Sequence, residues 1–130
     1  MIMKTGIILL SHGSRLPEAQ ATLHLLKELV AQESSYDLVE GASLQFNQPD
    51  LPAALATMAA RGMKRVVVVP LFLSQGVHMK EDIPEILARE RTRYPHMDIV
   101  MTANIGAHRK LAEIIMERIR EVSDQHAINY

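Results

Sequence analysis

The segment "RVVVVPLFLSQGVH", residues 65–78, indicates the fold more clearly than any other part of the chain. Four consecutive valines predict a strand over Arg65–Phe72, because a continuous apolar run is typical of a strand that is covered on both faces. The polar residues around Gly76 and His78 then predict a loop. The helix after this loop is predicted to begin at Asp82, which has the glutamate of a capping box three residues later.

Strands and helices alternate along the whole chain. Further apolar runs predict strands at Gly6–Leu10, Leu38–Phe46 and Asp98–Ile105. Helical spacing and capping residues predict helices at Pro17–Glu33, from Asp50 to about Gly62, at Asp82–Arg93 and at Arg109–Ser123. This order predicts an α/β fold, with a four-stranded parallel sheet and helices on both of its faces. The last helix is expected to bury a stripe formed by Leu111, Ile115, Ile119 and Val122.

The composition excludes several classes of function. A chain of 130 residues is expected to form one domain, residues 1–130. The net charge of −1 gives no field that would attract nucleic acid or an anionic membrane, so neither is expected as a partner. The absence of cysteine excludes disulfides, thiolate metal sites and a cysteine nucleophile. No signal peptide and no apolar run of membrane length is recognised, which predicts a cytoplasmic protein.

Two histidines follow the predicted ends of strands. His12 lies in "SHGSR", residues 11–15, and His78 lies after the valine-rich strand. In parallel sheets ligands bind beyond the carboxyl ends of the strands, where both histidines are expected. Either segment alone would be interpreted as a polar turn, but the pair favours a joint role. Imidazole is a common ligand of divalent transition metals and can also accept protons near neutral pH, so the pair predicts an open, exchangeable metal site or a proton-accepting site.

Other chemistries lack their usual motifs. The chain has no G-x-x-x-x-G-K-[ST], no G-x-G-x-x-G and no G-x-S-x-G, so nucleotide-phosphate loops and a hydrolase nucleophile elbow are not indicated. The other histidines have simpler interpretations. His24, His96 and His126 are expected in solvent, and His108 is expected to help cap the last helix.

The chain resembles the short CbiX-type sirohydrochlorin chelatases. The resemblance covers nearly the whole chain and is carried by "HGS" at residues 12–14, "VVPLFLSQGVHMKEDIP" at 68–84 and "IGAH" at 105–108. The second segment is highly specific, and it argues against an unrelated flavodoxin-like binding domain.

This resemblance implies an activity and a site. Members of the family insert a divalent metal into sirohydrochlorin without ATP: Co²⁺ for cobalamin, Ni²⁺ for coenzyme F430 or Fe²⁺ for sirohaem. The resemblance implies that His12 and His78 are the metal ligands and the catalytic residues, with Co²⁺ as the first expectation and no cofactor besides the metal substrate. Long forms carry two such domains with the site in the cleft between them, so a short chain is expected to act as a homodimer.

One position departs from the family pattern. Many relatives have "LE" near the end of the second strand, where this chain has Leu44-Gln45. Gln45 cannot serve as an anionic ligand or base. The departure leaves open the alternative that the protein carries a metal or a tetrapyrrole without catalysis.

Sirohydrochlorin has eight carboxylates, so its site needs hydrogen-bond donors and cations. Loops and first helical turns beyond the strand ends offer such groups, together with apolar atoms that could lie against the ring. The residues expected to contact the substrate are Ser14, Arg15, Gln45, Ser74, Gln75, Gly76, Val77 and Lys80.

Overall fold

A computed structural model describes residues 3–74 and 76–125, with only the backbone described for Val77, His78, Asp124 and Gln125. The strands are β1 (Thr5–Ser11), β2 (Leu38–Ser43), β3 (Arg65–Pro70) and β4 (Asp98–Met101). The helices are α1 (Pro17–Glu33), α2 (Leu51–Ala60), α3 (Val77–Arg93) and α4 (Arg109–Gln125). In this part of the chain no helix has the length and apolar character needed to cross a bilayer.

The four strands form one parallel sheet in the order β2-β1-β3-β4. The predicted α/β fold with a four-stranded parallel sheet is therefore confirmed. Because β1 pairs with both β2 and β3, the carboxyl end of β1 lies between the ends of its two neighbours. That placement positions the turn containing His12 at the centre of the sheet edge.

One face of the sheet is closed by α2 and α3. Leu55 and Met58 of α2 and Leu87 of α3 pack with Ile8 and Val68 of the sheet, and all five are essentially inaccessible to solvent. This continuous apolar layer is the main core, and its burial is the chief source of stability. It fixes the α3 helix against the edge on which the candidate site lies.

The opposite face is covered only in part. Leu23 of α1 packs with Val39 of β2 and Ile7 of β1, so helices do lie on both faces. Val67 of β3 is paired with Ile7, and Val100 of β4 is paired with Val67. Both valines are only half-buried. Helix α1 thus shields β2 and β1, and the β3–β4 half of this face has no comparable cover among the described residues.

Helix α4 has no substantial packing contact with any other described helix or strand. Ile115, Ile119 and Val122 are 53%, 50% and 44% exposed. The expectation that this stripe is buried is therefore wrong for the single chain. Its pattern correctly predicted an amphipathic helix, but a pattern does not specify which surface covers it.

Helix α3 begins five residues earlier than predicted. Gly76 is its N-cap, the Lys80 amide donates to the Gly76 carbonyl at 3.1 Å, and Asp82 lies in the second turn. The prediction of a start at Asp82 relied on the capping-box spacing of Asp82 and Glu85. Pro84 lies inside the helix, where burial of the neighbouring Ile83 holds the backbone helical.

Three strands are shorter at their carboxyl ends than predicted. β2 ends at Ser43, β3 at Pro70 and β4 at Met101. Hydrogen bonds nevertheless continue past all three of these ends, from Leu44 N to Ser11 O at 3.0 Å, from Leu71 N to Leu10 O at 2.8 Å and from Thr102 N to Val68 O at 2.9 Å. The residues beyond the strands are therefore held as ordered turns at the sheet edge.

Candidate functional site

The turn after β1 brings His12 against the turn after β2. Gly13 has φ 96°, and a Cβ at this position would overlap the backbone oxygen of Gln45. Only glycine combines a left-handed conformation with so close an approach. Gly13 therefore allows two chain segments about 30 residues apart in sequence to meet, with His12 exposed at their contact.

Gln45 is the described hydrogen-bond partner of the His12 ring. Gln45 Nε2 lies 3.3 Å from His12 Nδ1, and both side chains are exposed. If the amide nitrogen donates, Nδ1 is the acceptor and the proton of the neutral ring is on Nε2. A half-turn of the amide would present its oxygen instead, place the ring proton on Nδ1 and leave the Nε2 lone pair free.

The two turns are tied together by further hydrogen bonds. The Ser14 amide donates to Asn47 Oδ1 at 2.9 Å, and Ser14 Oγ accepts from the Leu16 amide at 3.0 Å. At the base, Ser11 Oγ lies 3.1 Å from Ser43 Oγ. These contacts orient the backbone around His12, and they already engage the hydroxyl of Ser14.

Phe46 adds an aromatic surface that the sequence did not predict as functional. Its φ of 69° is left-handed, which is a strained conformation for a bulky side chain, and its side chain is 56% exposed. The Arg15 guanidinium lies over the ring, with 4.7 Å from Cζ to the ring centroid. The sequence predicts Phe46 as the last residue of a strand, and no sequence signal marks the turn that exposes it.

The junction between β3 and α3 lies beside the His12 turn. The rings of His12 and the buried Phe72 meet edge to face with 5.9 Å between centroids. Ser74 is exposed, Gly76 caps α3, and Lys80 is exposed on the first turn of the helix. His78 is the second residue of α3, so it belongs to a helix rather than to the predicted loop.

Two of the residues expected to contact the substrate are described only in part or not at all. Gln75 is not described, and for Val77, as for His78, the description stops at the backbone. Met79 follows on α3 and packs against the main core, so it anchors the helix.

The turn after β4 completes the edge. Phe72 O accepts from the Gly106 amide at 3.1 Å and from Asn104 Nδ2 at 3.2 Å. His108 Nδ1 accepts from the Lys110 amide at 3.0 Å, which confirms the expected capping role of His108. All four strand ends are thus connected through Ser14–Asn47, His12–Gln45, His12–Phe72 and Phe72–Asn104 contacts.

Two crevices flank the Gln45–Asn47 turn. One, of about 180 Å³, is lined by His12, Gly13, Gln20 and Asn47 among others. The second, of about 280 Å³, lies between Gln45 and the α3 residues Met79, Asp82, Glu85 and Arg89. Among the side chains that the structure describes, which do not include His78, no group of three or more His, Asp or Glu could hold a metal ion.

A family model described as CbiX matches residues 6–122. The chain belongs to the CbiX family. A sirohydrochlorin cobaltochelatase of Methanothermobacter thermautotrophicus is 32% identical over 132 residues, covering 90% of this chain and 92% of that protein. The chloroplastic sirohydrochlorin ferrochelatase of Arabidopsis thaliana is 31% identical, covering 96% of this chain and 53% of that protein.

A solved structure shares this architecture. The sirohydrochlorin chelatase SirB from Bacillus subtilis subspecies spizizenii, in complex with cobalt, superposes with a TM-score of 0.85 at 29% identity. The match covers 93% of this chain and 52% of the SirB chain. The CbiX-family chain therefore spans almost all of a short relative and about half of each long one, and the resemblance noted from its motifs is confirmed.

Proposed function

We propose that this CbiX-family chain is a chelatase that inserts a divalent metal ion into sirohydrochlorin without ATP, and that this ion is Co²⁺. The observation that carries the proposal is the position of His12. It is exposed at the centre of the carboxyl edge of a parallel sheet, in a chain whose relatives are named for this reaction. Ni²⁺ and Fe²⁺ are the alternative metals, since imidazole sites discriminate weakly among these ions and one relative is named a ferrochelatase.

In this proposal His12 and His78 bind the incoming metal ion. Two neutral nitrogens without a thiolate give modest affinity, which suits an ion that must be passed on. Gln45 acts through His12. With its amide oxygen turned toward Nδ1, Gln45 fixes the tautomer in which His12 Nε2 is free for the metal, as partners of metal-binding histidines commonly do.

Insertion exchanges one M²⁺ ion for two pyrrole protons. The ring gains four metal–nitrogen bonds, and its two N–H protons leave to acceptors at the site. Once the metal has moved to the macrocycle, the imidazoles of His12 and His78 regain free lone pairs. We propose that these rings, or water beside them, accept the two protons.

The substrate carboxylates are bound by cations and donors around the edge. Arg15 and Lys80 are exposed on opposite sides of His12 and lie on the α1 and α3 sides of the site. The side chains of Ser14, Gln45, Ser74 and Gln75 and the backbone at Gly76 and Val77 complete the proposed contacts. The Phe46 ring supplies an apolar face for the macrocycle, with Arg15 already stacked on it.

The extent of the site favours a homodimer. Crevices of about 180 Å³ and 280 Å³ are smaller than the pockets of roughly 300–1,000 Å³ that enclose much smaller ligands than a tetrapyrrole. A second copy facing this edge would close the cleft, as the second half of a long relative would. We further propose that residues 1–130 form one CbiX-type domain that acts in the cytoplasm.

Anaerobic mixing of protein, sirohydrochlorin and Co²⁺, followed by absorption spectroscopy, tests the function. We expect many turnovers for the wild type and a loss of about 100-fold or more at low metal for His12→Ala and His78→Ala. His24→Ala is the matched control, because His24 is exposed on α1 and pairs with Glu28 at 3.8 Å. Its activity should equal that of the wild type.

The same assay distinguishes the alternatives. Parallel reactions with Ni²⁺ and Fe²⁺ rank the metals. A spectral change that stops at one equivalent of sirohydrochlorin per protein would indicate a carrier rather than an enzyme. The neutral Gln45 is the observation that favours this alternative. Full activity in both His12→Ala and His78→Ala would remove the proposed site.

A further inference from the structure

Helix α3 places a carboxylate one turn beyond His78. His78 and Asp82 are the second and sixth residues of α3, and the backbone between them is helical. Residues four apart on a helix share one face, with about 40° between them around the axis and about 6 Å along it. The position of Asp82 relative to His78 is therefore set by helical geometry and does not depend on a loop.

The side chain of Asp82 lies on the side of α3 that faces Gln45. It lines the crevice of about 280 Å³ between this helix and the turn after β2. Glu81, which is also within one turn of His78, is exposed and does not line this crevice. Asp82 thus combines a position next to His78 on the helix with a position beside the candidate site.

The same crevice reaches the partner of the other histidine. Gln45 lines it as well, and Gln45 Nε2 lies 3.3 Å from His12 Nδ1. The two proposed metal ligands thus differ in the group nearby, which is a neutral amide for His12 and a carboxylate one helical turn away for His78. A carboxylate that accepts a ring N–H fixes the tautomer of the imidazole and makes its other nitrogen a stronger metal ligand.

We propose that Asp82 positions His78 for the metal ion by accepting the hydrogen of one ring nitrogen, which leaves the other nitrogen for the ion. The inference rests on the proposed function, in which His78 is a metal ligand, and it adds the residue that orients this ligand. The carboxylate also brings toward the bound cation a negative charge that the neutral Gln45 does not supply. Asp82 acts through His78 and is not itself a metal ligand.

Affinity for Co²⁺ in the absence of sirohydrochlorin tests the inference, with a coloured chelator as the competitor. Asp82→Ala should weaken binding about 10- to 100-fold, as expected when the partner of a metal-binding histidine is removed. Asp82→Asn keeps an oxygen that accepts a ring hydrogen but has no charge, so its affinity should lie between those of Asp82→Ala and the wild type. At saturating Co²⁺, KM for sirohydrochlorin should stay near the wild-type value in both variants.

Glu85→Gln is the matched control. Glu85 lines the same crevice, but it lies seven residues from His78 on α3, which is about 10 Å along the axis. The substitution removes the same charge from the crevice as Asp82→Asn does, and Co²⁺ affinity should remain that of the wild type. Equal losses in these two variants would assign the effect to the field of the whole crevice and refute a specific role for Asp82.

A double-mutant cycle with His78→Ala decides whether Asp82 acts through His78. In the His78→Ala background, Asp82→Ala should cause no further loss of Co²⁺ affinity. A further loss as large as that of the single variant would mean that Asp82 binds the ion itself or only stabilises α3, and the inference would be wrong.

The single variants separate this inference from the proposed function. Wild-type affinity in Asp82→Ala, together with weakened binding in His78→Ala, would overturn the role of Asp82 and leave the proposed metal site standing. Wild-type affinity in His78→Ala would remove the proposed ligand and the inference together.

Discussion

The two junctions that carry histidine differ in how they hold it. After β1, the chain makes a turn at Gly13, and His12 is oriented by contacts with Gln45 and Phe72. After β3, the helix begins directly behind Gly76, and the backbone of His78 is fixed by the first turn of α3. One position depends on tertiary contacts between distant segments, and the other depends on helical geometry. Substitutions near the two histidines should therefore have unequal effects.

The largest difference in stability and activity is expected between alanine substitutions at Gly13 and at Gly76. In Gly13→Ala the new methyl group meets the Gln45 backbone and φ must leave the left-handed region. We expect the free energy of unfolding to fall by about 1–3 kcal/mol and chelation to fall about 100-fold, since small displacements of reacting groups are costly. Thermal unfolding and the Co²⁺ assay measure both quantities.

Gly76→Ala is the matched substitution at the other junction. A Cβ there has no heavy atom within 4 Å, and φ is an ordinary −73°. Stability and activity should both stay near those of the wild type. Equal losses in the two variants would mean that the junctions are held in the same way, which would refute the comparison.

The sequence predicted the first junction better than the second for a physical reason. "SHGSR" contains its own turn signal in Gly13, so the local sequence and the structure agree. In "SQGVHMKEDIPE" the competing signals are Gly76 and the capping-box spacing of Asp82 and Glu85, and the second of these favoured a helix start at Asp82. Burial of Ile83 and Leu87, which is a long-range effect, extends the helix back to Val77.

Two other features could not be read from local sequence. The left-handed conformation of Phe46 arises where β2 ends and its turn meets Gly13, a contact between segments far apart in the chain. The amphipathic pattern of α4 predicted a helix with one apolar face, but the partner of that face depends on where the preceding turn directs the helix. Periodicity identifies what must be covered and not what covers it.

An intermediate effect is expected at Gln45, which supports only the first histidine. Gln45→Leu removes the partner of His12 Nδ1, and we expect Co²⁺ affinity to fall about tenfold, at the low end for such outer partners. Gln45→Glu adds a negative charge that favours both the Nδ1 proton and the cation, so affinity should rise. Competition with a coloured chelator measures both variants. Unchanged affinity in the pair would show that Gln45 does not position His12.

The smallest effect is expected at Phe46, which is proposed to contact the substrate and not the metal. Phe46→Gly relieves the left-handed strain, so unfolding should require up to about 1 kcal/mol more free energy, while loss of the ring should raise KM for sirohydrochlorin several-fold. Phe46→Tyr keeps the ring and should leave KM near its original value. Co²⁺ affinity should be the same in both variants, because the metal contacts involve His12 and His78. A lower Co²⁺ affinity in Phe46→Gly, with KM unchanged, would instead make the ring a support for the His12 turn.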